Sequence, residues 1–264
     1  MRKILVIALN TFREAARNKV LYSLLFFAVV VIVGSLAFGS LSVRDERRLM
    51  LDLGLGGMSI FSVVIAIFIG VNLLYKELER KTVYTLIPKP IHRFQFVLGK
   101  FAGLVLTLVL QILVMALTLF VVVKLKEEHV GKALMMMTVL VFLEVLVVTA
   151  IAVLFSSFST PFLSGFFTAG LFLLGRSVPD LRAVAGKLGG EQPVLATLLD
   201  SISRVVPNLR YFYVSGTEVS GQHVSVSGVF VDWTYVGSAA LYALLYVSLL
   251  LILAVGLFSR RDFV

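Results

Sequence analysis

Four uncharged, predominantly apolar runs constrain this chain more than any other feature. They have 22, 23, 23 and 26 residues and comprise residues 20–41, 53–75, 101–123 and 234–259. A helix needs about 20 such residues to cross the hydrocarbon core of a bilayer. Only 15% of all residues are charged, whereas a soluble domain averages about 25%. The sequence therefore predicts an all-α integral membrane protein.

A fifth apolar stretch, residues 133–175, is too long for one span. It contains 43 residues and a single charge, Glu144. Near its middle, Pro161 follows a cluster of Ser and Thr. Proline cannot continue a helix and biases the preceding residue away from α conformation. We therefore expect two spans, about 133–155 and 161–181, joined by a very short turn, which makes six spans in the chain.

The polar segments around these spans differ in character. Residues 1–19 combine an apolar face with five Lys and Arg side chains, which is typical of an interfacial amphipathic helix; a short extension of the first span is the alternative. Residues 42–52 read as a short polar loop. Residues 182–233 form one long loop, in which 193–206 has the spacing of a short helix on the membrane surface and 214–232 resembles extended chain or a small hairpin.

The distribution of Lys and Arg predicts the orientation. With both termini in the cytoplasm, 13 of these residues lie inside and 11 outside. Long loops translocate largely regardless of their charge, and omitting the polar segment 176–233 leaves 13 inside against 6 outside. The net charge of +9 thus reflects the basic loops of a multi-pass protein of the cell inner (cytoplasmic) membrane, and we expect no nucleic-acid partner.

The sequence carries no recognisable enzyme motif. Gly-Lys occurs three times, at Gly99, Gly131 and Gly186, but never with the upstream glycine and following Ser or Thr of a phosphate-binding loop. The chain has no cysteine, and its three histidines include no HExxH pair. We therefore expect neither ATP, nor a metal, nor another cofactor to be bound by this chain.

Three polar residues within predicted spans are candidate functional positions: Glu144, Asn72 and Gln111. Glu144 is the acidic one, and an intramembrane carboxylate is a functional-site hypothesis because its burial is costly. The alternative is that Glu144 only fixes helix packing through a hydrogen bond. Asn72 and Gln111 are more typical of interhelical hydrogen bonds.

The segment from Tyr75 to Lys100 carries six of the chain's basic residues between two spans. Its first part, 76–86, has good helix formers and a charged face, and Pro88 and Pro90 end that helix in a rigid turn. Spacing alone leaves two interpretations open. The segment is either a lever that a soluble partner moves or an ordinary basic loop that only sets the topology.

The motifs of this segment resemble the signature of ABC-2 type transporter permeases. They are Glu77-Leu-Glu-Arg-Lys-Thr82, Leu86-Ile-Pro-Lys-Pro-Ile-His-Arg93 and Leu98-Gly-Lys100. Four further segments resemble the branch that contains the permeases of nitrous-oxide-reductase maturation and gliding motility: Asn10–Lys19, Phe155–Pro161, Pro207–Phe212 and Arg260–Phe263. The resemblance covers essentially the whole chain, as one transmembrane domain, 1–264.

The resemblance implies a permease dimer, made with a second copy or a related chain, in contact with membrane lipid. Two separate ABC ATPase subunits would bind it and hold the ATP and Mg²⁺. The loop 76–100 would contain the coupling helix between spans 2 and 3, and 156–161 a second contact. The residues implied to couple to the ATPase are Glu77, Glu79, Arg80, Lys81, Thr82, Pro88, Pro90 and Arg93.

The expected function is therefore that of a membrane-spanning permease subunit of an ABC transporter, most simply an exporter. Two alternatives stay open. One is a membrane anchor that transmits ATPase motion to an envelope machine, and the other is an ion-coupled secondary transporter with Glu144 as the proton carrier. The sequence does not indicate which substrate is moved.

Overall fold

The computed structural model describes residues 2–40, 46–79, 92–125, 131–188, 192–213, 217–219, 222–224 and 232–260. Within them lie nine α-helices, one 3₁₀ turn and one antiparallel pair of short strands. The helices are α1 (Arg2–Ala16), α2 (Lys19–Ser40), α3 (Glu46–Glu79), α4 (Arg93–Leu125), α5 (Gly131–Ser156), α6 (Pro161–Arg176), α7 (Val178–Leu188), α8 (Pro193–Val205) and α9 (Trp233–Arg260). The 3₁₀ turn is Leu209–Tyr211, and the strands are β1 (Thr217–Val219) and β2 (Gln222–Val224).

Five helices of this described part are long and apolar enough to cross a membrane. They contain the segments Lys19–Ala37, Leu49–Asn72, Arg93–Leu125, Leu134–Ser156 and Trp233–Ser259. Taken together, α6 and α7 are also long and apolar enough to cross a membrane, but the chain bends by 64° between them. The protein is thus an all-α membrane protein with five candidate spans, or six if the bent pair counts as one.

The bent pair changes the prediction for span five. The sequence predicts one continuous helix over 161–181, but α6 ends at Arg176 and α7 begins at Val178 in a new direction. The predicted turn before it is confirmed, because α5 ends at Ser156 and α6 begins with Pro161. Proline suits the first helical position, where its missing N–H would be unpaired anyway, and Thr160 has the extended conformation that precedes a proline (φ −76°, ψ 160°).

The first polar loop is shorter than the sequence predicts. Residues 46–52 form the first two turns of α3, so the prediction of a loop over 42–52 is wrong from Glu46 onward. Glu, Arg, Leu and Met are good helix formers, and a carboxylate in the first turn favours the helix dipole. The helix predicted within 1–19 and the hairpin predicted within 214–232 are both present, as α1 and as β1–β2.

The central helix of the bundle is α5. Nearly every side chain from Leu140 to Val153 is buried, and α5 packs against α3, α4, α6 and α9. A helix that is apolar on all sides is expected to lie inside a bundle. The one carboxylate of this helix, Glu144, is consequently enclosed by protein.

The long polar segment folds back onto α9. The hydroxyl of Tyr246 donates to the carbonyl of Val205 at 2.6 Å, the amide of Asn208 donates to the hydroxyl of Tyr242 at 2.9 Å, and the hydroxyl of Tyr235 donates to the carbonyl of Tyr211 at 2.7 Å. These tyrosines extend over about 16 Å of α9. We call residues 207–213 the return segment, since Asn208 and Tyr211 within it bond to Tyr242 and Tyr235 of α9.

The same contacts locate the end of α8. The sequence predicts a short helix here, lying on the membrane surface. The helix itself is confirmed as α8. The exposed side chains of Val194, Leu198 and Val205 give α8 an apolar face. Its last residue, however, bonds to Tyr246, which lies halfway along α9. The C-terminal end of α8 therefore lies beside the middle of α9.

Candidate functional site

Two glycines allow α1 to cross the beginning of α4 in direct contact. A Cβ placed on Gly99 would lie 2.7 Å from the Cβ of Ile7, and one placed on Gly103 would lie 2.5 Å from the carbonyl oxygen of Ala8. Residues four apart share one face of a helix, and small residues permit close helix approach in membranes. Gly99, in the Gly-Lys motif at the end of the segment 76–100, is therefore one of the two residues on which α1 packs.

Lys100 joins the same two helices by charge. Its side chain is only 2% exposed, and its Nζ lies 3.7 Å from Oε2 of Glu14 and 5.7 Å from the ring centre of Phe96. A buried ammonium group is costly unless it is paired. The carboxylate of Glu14 near the end of α1 thus compensates the buried charge on α4.

Arg93 binds the end of α9. Its Nη1 donates to the carbonyl of Ser259 at 2.5 Å and to that of Phe258 at 3.3 Å. The last carbonyls of a helix have no partner within it, and a cation favours the negative end of the helix dipole. The rings of Phe96 and Phe258 stack at 5.9 Å beside this contact. Helices α1, α4 and α9 therefore meet at one place, which we call the basal junction (Glu14, Arg93, Phe96, Gly99, Lys100, Gly103, Phe258).

A cavity adjoins the basal junction between the α1–α2 elbow and α3. Its volume is about 360 Å³, and its lining is mostly polar: Glu14, Ala15, Arg17, Asn18, Lys19, Ile69 and Asn72. The elbow itself is capped by Asn18, whose side-chain oxygen accepts from the amide of Val20 at 3.0 Å. Beside the basal junction, α1 therefore packs against α4, and the cavity separates the end of α1 from α3.

A second polar cluster lies inside the bundle around Glu144, which is fully buried. Arg176 donates from Nε to Oε1 of Glu144 at 2.9 Å and from Nη2 to Oε2 at 3.1 Å. The hydroxyl of Ser59 donates to Oε2 at 2.6 Å and accepts from Nη2 of Arg176 at 2.6 Å. A bidentate, charge-assisted pair of this kind is among the stronger hydrogen-bonded contacts. It joins α3, α5 and α6.

Two aromatic rings enclose the guanidinium. Its central carbon lies 4.9 Å from the ring centre of Phe172 and 4.2 Å from that of Tyr213. Both distances suit a cation–π contact. Tyr213 belongs to the return segment, so a fourth element reaches the same side chain. We call this set the Arg176 cluster (Ser59, Glu144, Phe172, Arg176, Tyr213).

A sequence model of the ABC-2 family transporter proteins matches residues 5–263 of the chain. The chain belongs to the ABC-2 transporter family. No curated protein shows a significant match to the sequence. An ABC-2 permease is the transmembrane component of an ABC transporter, distinct from the ATPase, and works with ABC ATPase subunits.

Few of the coupling residues predicted for this ABC-2 permease can be placed. Arg93 lies in the basal junction. Glu77 and Glu79 belong to the last turn of α3, with side chains outside the described part of the chain. The other predicted coupling residues lie outside the described residues altogether: Arg80, Lys81, Thr82, Pro88 and Pro90. The proposed second contact, 156–161, forms the turn between α5 and α6.

The three predicted intramembrane polar residues of the permease have different surroundings. Glu144 forms the ion pair with Arg176 described above. Asn72 donates to the carbonyl of Phe68 in its own helix at 2.7 Å. Gln111 is 2% exposed, and neither side-chain amide atom has a hydrogen-bond partner within the described residues.

Sequence reasoning missed Ser59, Arg176 and Tyr213. A signal for Arg176 was available, because Glu144 lies 12 residues before the end of α5 and Arg176 lies 15 after the start of α6. In an antiparallel hairpin these positions are at similar heights, and intramembrane charges usually pair. Ser59 and Tyr213 carry no such signal, since their proximity depends on how three helices and a loop pack.

Proposed function

We propose that this permease is the membrane subunit of an ABC exporter in the cell inner membrane, with both termini in the cytoplasm. Two ABC ATPase subunits dock on the loop 76–100 of a permease dimer and supply the ATP and Mg²⁺. The observation that carries the proposal is the basal junction. In a member of the ABC-2 family, the helix α4, which begins at Arg93 inside this loop, is bound to two other helices.

The basal junction supports transmission of force from the loop. Arg93 lies within the segment 76–100, where α4 begins, and bonds to the last carbonyls of α9. Lys100, two turns later, lies beside Glu14 of α1, and the glycine contacts prevent α1 from sliding freely. A push on the loop therefore moves the beginning of α4 together with α1 and α9. Such a rigid group of helices can switch between two packings whose balance an ATPase biases.

The residues of the loop have distinct proposed roles. Glu77, Glu79, Arg80, Lys81 and Thr82 form the polar surface that contacts the ATPase. Charged groups at such a surface contribute most to the choice of partner and to the rate of association. The two prolines, Pro88 and Pro90, stiffen the connection to Arg93 because each fixes its own backbone φ angle.

One contact argues against the ion-coupled alternative. Both carboxylate oxygens of Glu144 accept hydrogen bonds, from Arg176 and from Ser59. Protonation of Glu144 would have to break its ion pair with Arg176 in every transport cycle. Glu144 therefore serves better as a fixed partner of Arg176 than as a proton carrier.

The test is co-purification of the permease with a candidate ABC ATPase, followed by vanadate-sensitive ATP hydrolysis and transport in vesicles. Glu77→Ala and Arg80→Ala should each reduce the stimulated hydrolysis. Lys124→Ala, an exposed basic residue at the other end of α4, serves as the matched control and should not. Uptake driven by a proton gradient without any ATPase would contradict the proposal. Stimulated hydrolysis without transport would favour the membrane anchor.

A further inference from the structure

The elbow between α6 and α7 holds the return segment tightly. A Cβ on Gly175, one residue before the bend, would lie 2.7 Å from the carbonyl oxygen of Pro207 and 2.8 Å from Cγ of Leu209. Leu209 and Phe212 are almost completely buried there. The return segment thus packs against both arms of the 64° bend, so the bend and the segment must move together or separate.

The side chain of Arg176 contacts both the neighbouring helices and the return segment. The edge of the Arg176 guanidinium bonds to Glu144 on α5 and Ser59 on α3, while its flat face lies on the ring of Tyr213. Only arginine combines a planar set of donors with a face that stacks on aromatic rings. Arg176 therefore fastens the elbow to two helices and the return segment to the elbow.

The return segment is also connected to the other end of the molecule. Three tyrosines of the N-terminal half of α9 bond to residues 205–211. The C-terminal end of the same helix bonds to Arg93 in the basal junction. α9 has 28 residues, or about 42 Å of uninterrupted helix. It therefore contacts both the coupling end of the permease and the return segment, which carries Tyr213 of the Arg176 cluster.

We propose that Arg176 is a positioning residue for transport. It holds the elbow closed on the return segment, and α9 links that closed state to the basal junction. Movement of the basal junction shifts α9 along its axis and pulls on the return segment through Tyr235 and Tyr242. This withdraws Tyr213 from Arg176. The link to ATP rests on the proposed function, whereas the closed elbow is a property of the permease alone.

The first test uses the permease alone. The chain has no cysteine, so single thiols can be introduced without background. Leu209→Cys places a thiol in the buried elbow, and Tyr211→Cys places one at an exposed site (49% exposed) of the same segment. A buried thiol reacts slowly with a maleimide. Arg176→Gln should raise the labelling rate of the Leu209→Cys thiol about tenfold by local opening and leave that of the Tyr211→Cys thiol unchanged.

Two further variants keep this test decisive if Arg176→Gln does not fold. Tyr213→Leu leaves the ion pair intact and removes only the ring under the guanidinium, so it should also accelerate labelling of Leu209→Cys. Tyr213→Phe keeps the ring and should remain closer to the parent. Equal labelling rates in the parent and in Tyr213→Leu, with unchanged labelling of Tyr211→Cys, would overturn the proposal.

The second test adds the ATPase. In the assembled complex, vanadate trapping should change the labelling rate of Leu209→Cys by about fivefold or more, since the elbow responds to the basal junction. Arg93→Ala should abolish that response relative to its own untrapped rate. If no ATPase binds, the proposed function fails while the first test still decides the closed elbow. If ATP is hydrolysed but labelling does not respond, the linkage through α9 is refuted.

Discussion

Removing one charge of the Arg176 cluster should destabilise the permease more than removing both. In Arg176→Gln the fully buried Glu144 loses its counter-ion and retains the hydrogen bond from Ser59. In Glu144→Gln the guanidinium, 18% exposed, loses its counter-ion. Breaking one side of a buried ion pair costs about 3–5 kcal/mol, whereas replacing both partners is far less costly. We expect about 4 kcal/mol for Arg176→Gln and slightly less for Glu144→Gln.

The double variant Glu144→Gln/Arg176→Gln shows whether the two charges are energetically coupled. Two neutral amides can still hydrogen-bond to each other, so its cost should be about 1–2 kcal/mol. The coupling energy from the double-mutant cycle, the sum of the single costs less the cost of the double variant, is then about 6 kcal/mol. The free energy of unfolding is measured by reversible denaturation of the permease in detergent micelles at neutral pH. Additive single costs, to within about 0.5 kcal/mol, would refute the account of a coupled buried pair.

Three other contacts give predictions of their own. Gly103→Val should push α1 off α4 and lower the stimulated ATP hydrolysis, since even a Cβ would lie 2.5 Å from the α1 backbone; Gly165→Ala, with nothing within 4 Å, is the control and should retain the parent rate. A disulfide should form spontaneously in Val31→Cys/Gly57→Cys, because the two Cβ atoms would be 3.8 Å apart, within the usual disulfide range, and non-reducing electrophoresis after proteolysis detects it. Tyr246→Phe should lower the free energy of unfolding by about 1 kcal/mol, because the α8 carbonyl loses its donor, and an unchanged value would show that water replaces the hydroxyl.

The parts of the fold that follow from local composition were predictable from the sequence. Each uncharged run is helical, and the break before Pro161 lies where proline chemistry requires it. The start of α3 at Glu46 does not follow from composition in this way, because a charged stretch beside a span is typical of a loop even where its residues favour a helix. Charges at a membrane surface are compatible with continued helix, so polarity alone marks the end of the apolar run and not of the helix.

The parts that depend on long-range packing were not predictable in the same way. Residues 161–181 are apolar enough for a straight span, but the helix ends where Arg176 reaches Glu144 on another helix. Gly99 is recognisable as part of a family motif, yet nothing in its neighbourhood shows that α1 lies on it. The polar residue Asn72 bonds within its own helix, since an amide near a helix end finds a nearby carbonyl more readily than a neighbouring span.

The central claim is that the loop 76–100 faces the ATPase. Site-specific photocrosslinking measures this most directly. A photoreactive amino acid is placed at Thr82, within the loop, or at Leu125, an exposed residue at the opposite end of α4, and the assembled complex is irradiated. The account predicts a covalent product with the ATPase from position 82 and none from position 125. A product from position 125 but not from position 82 would contradict it.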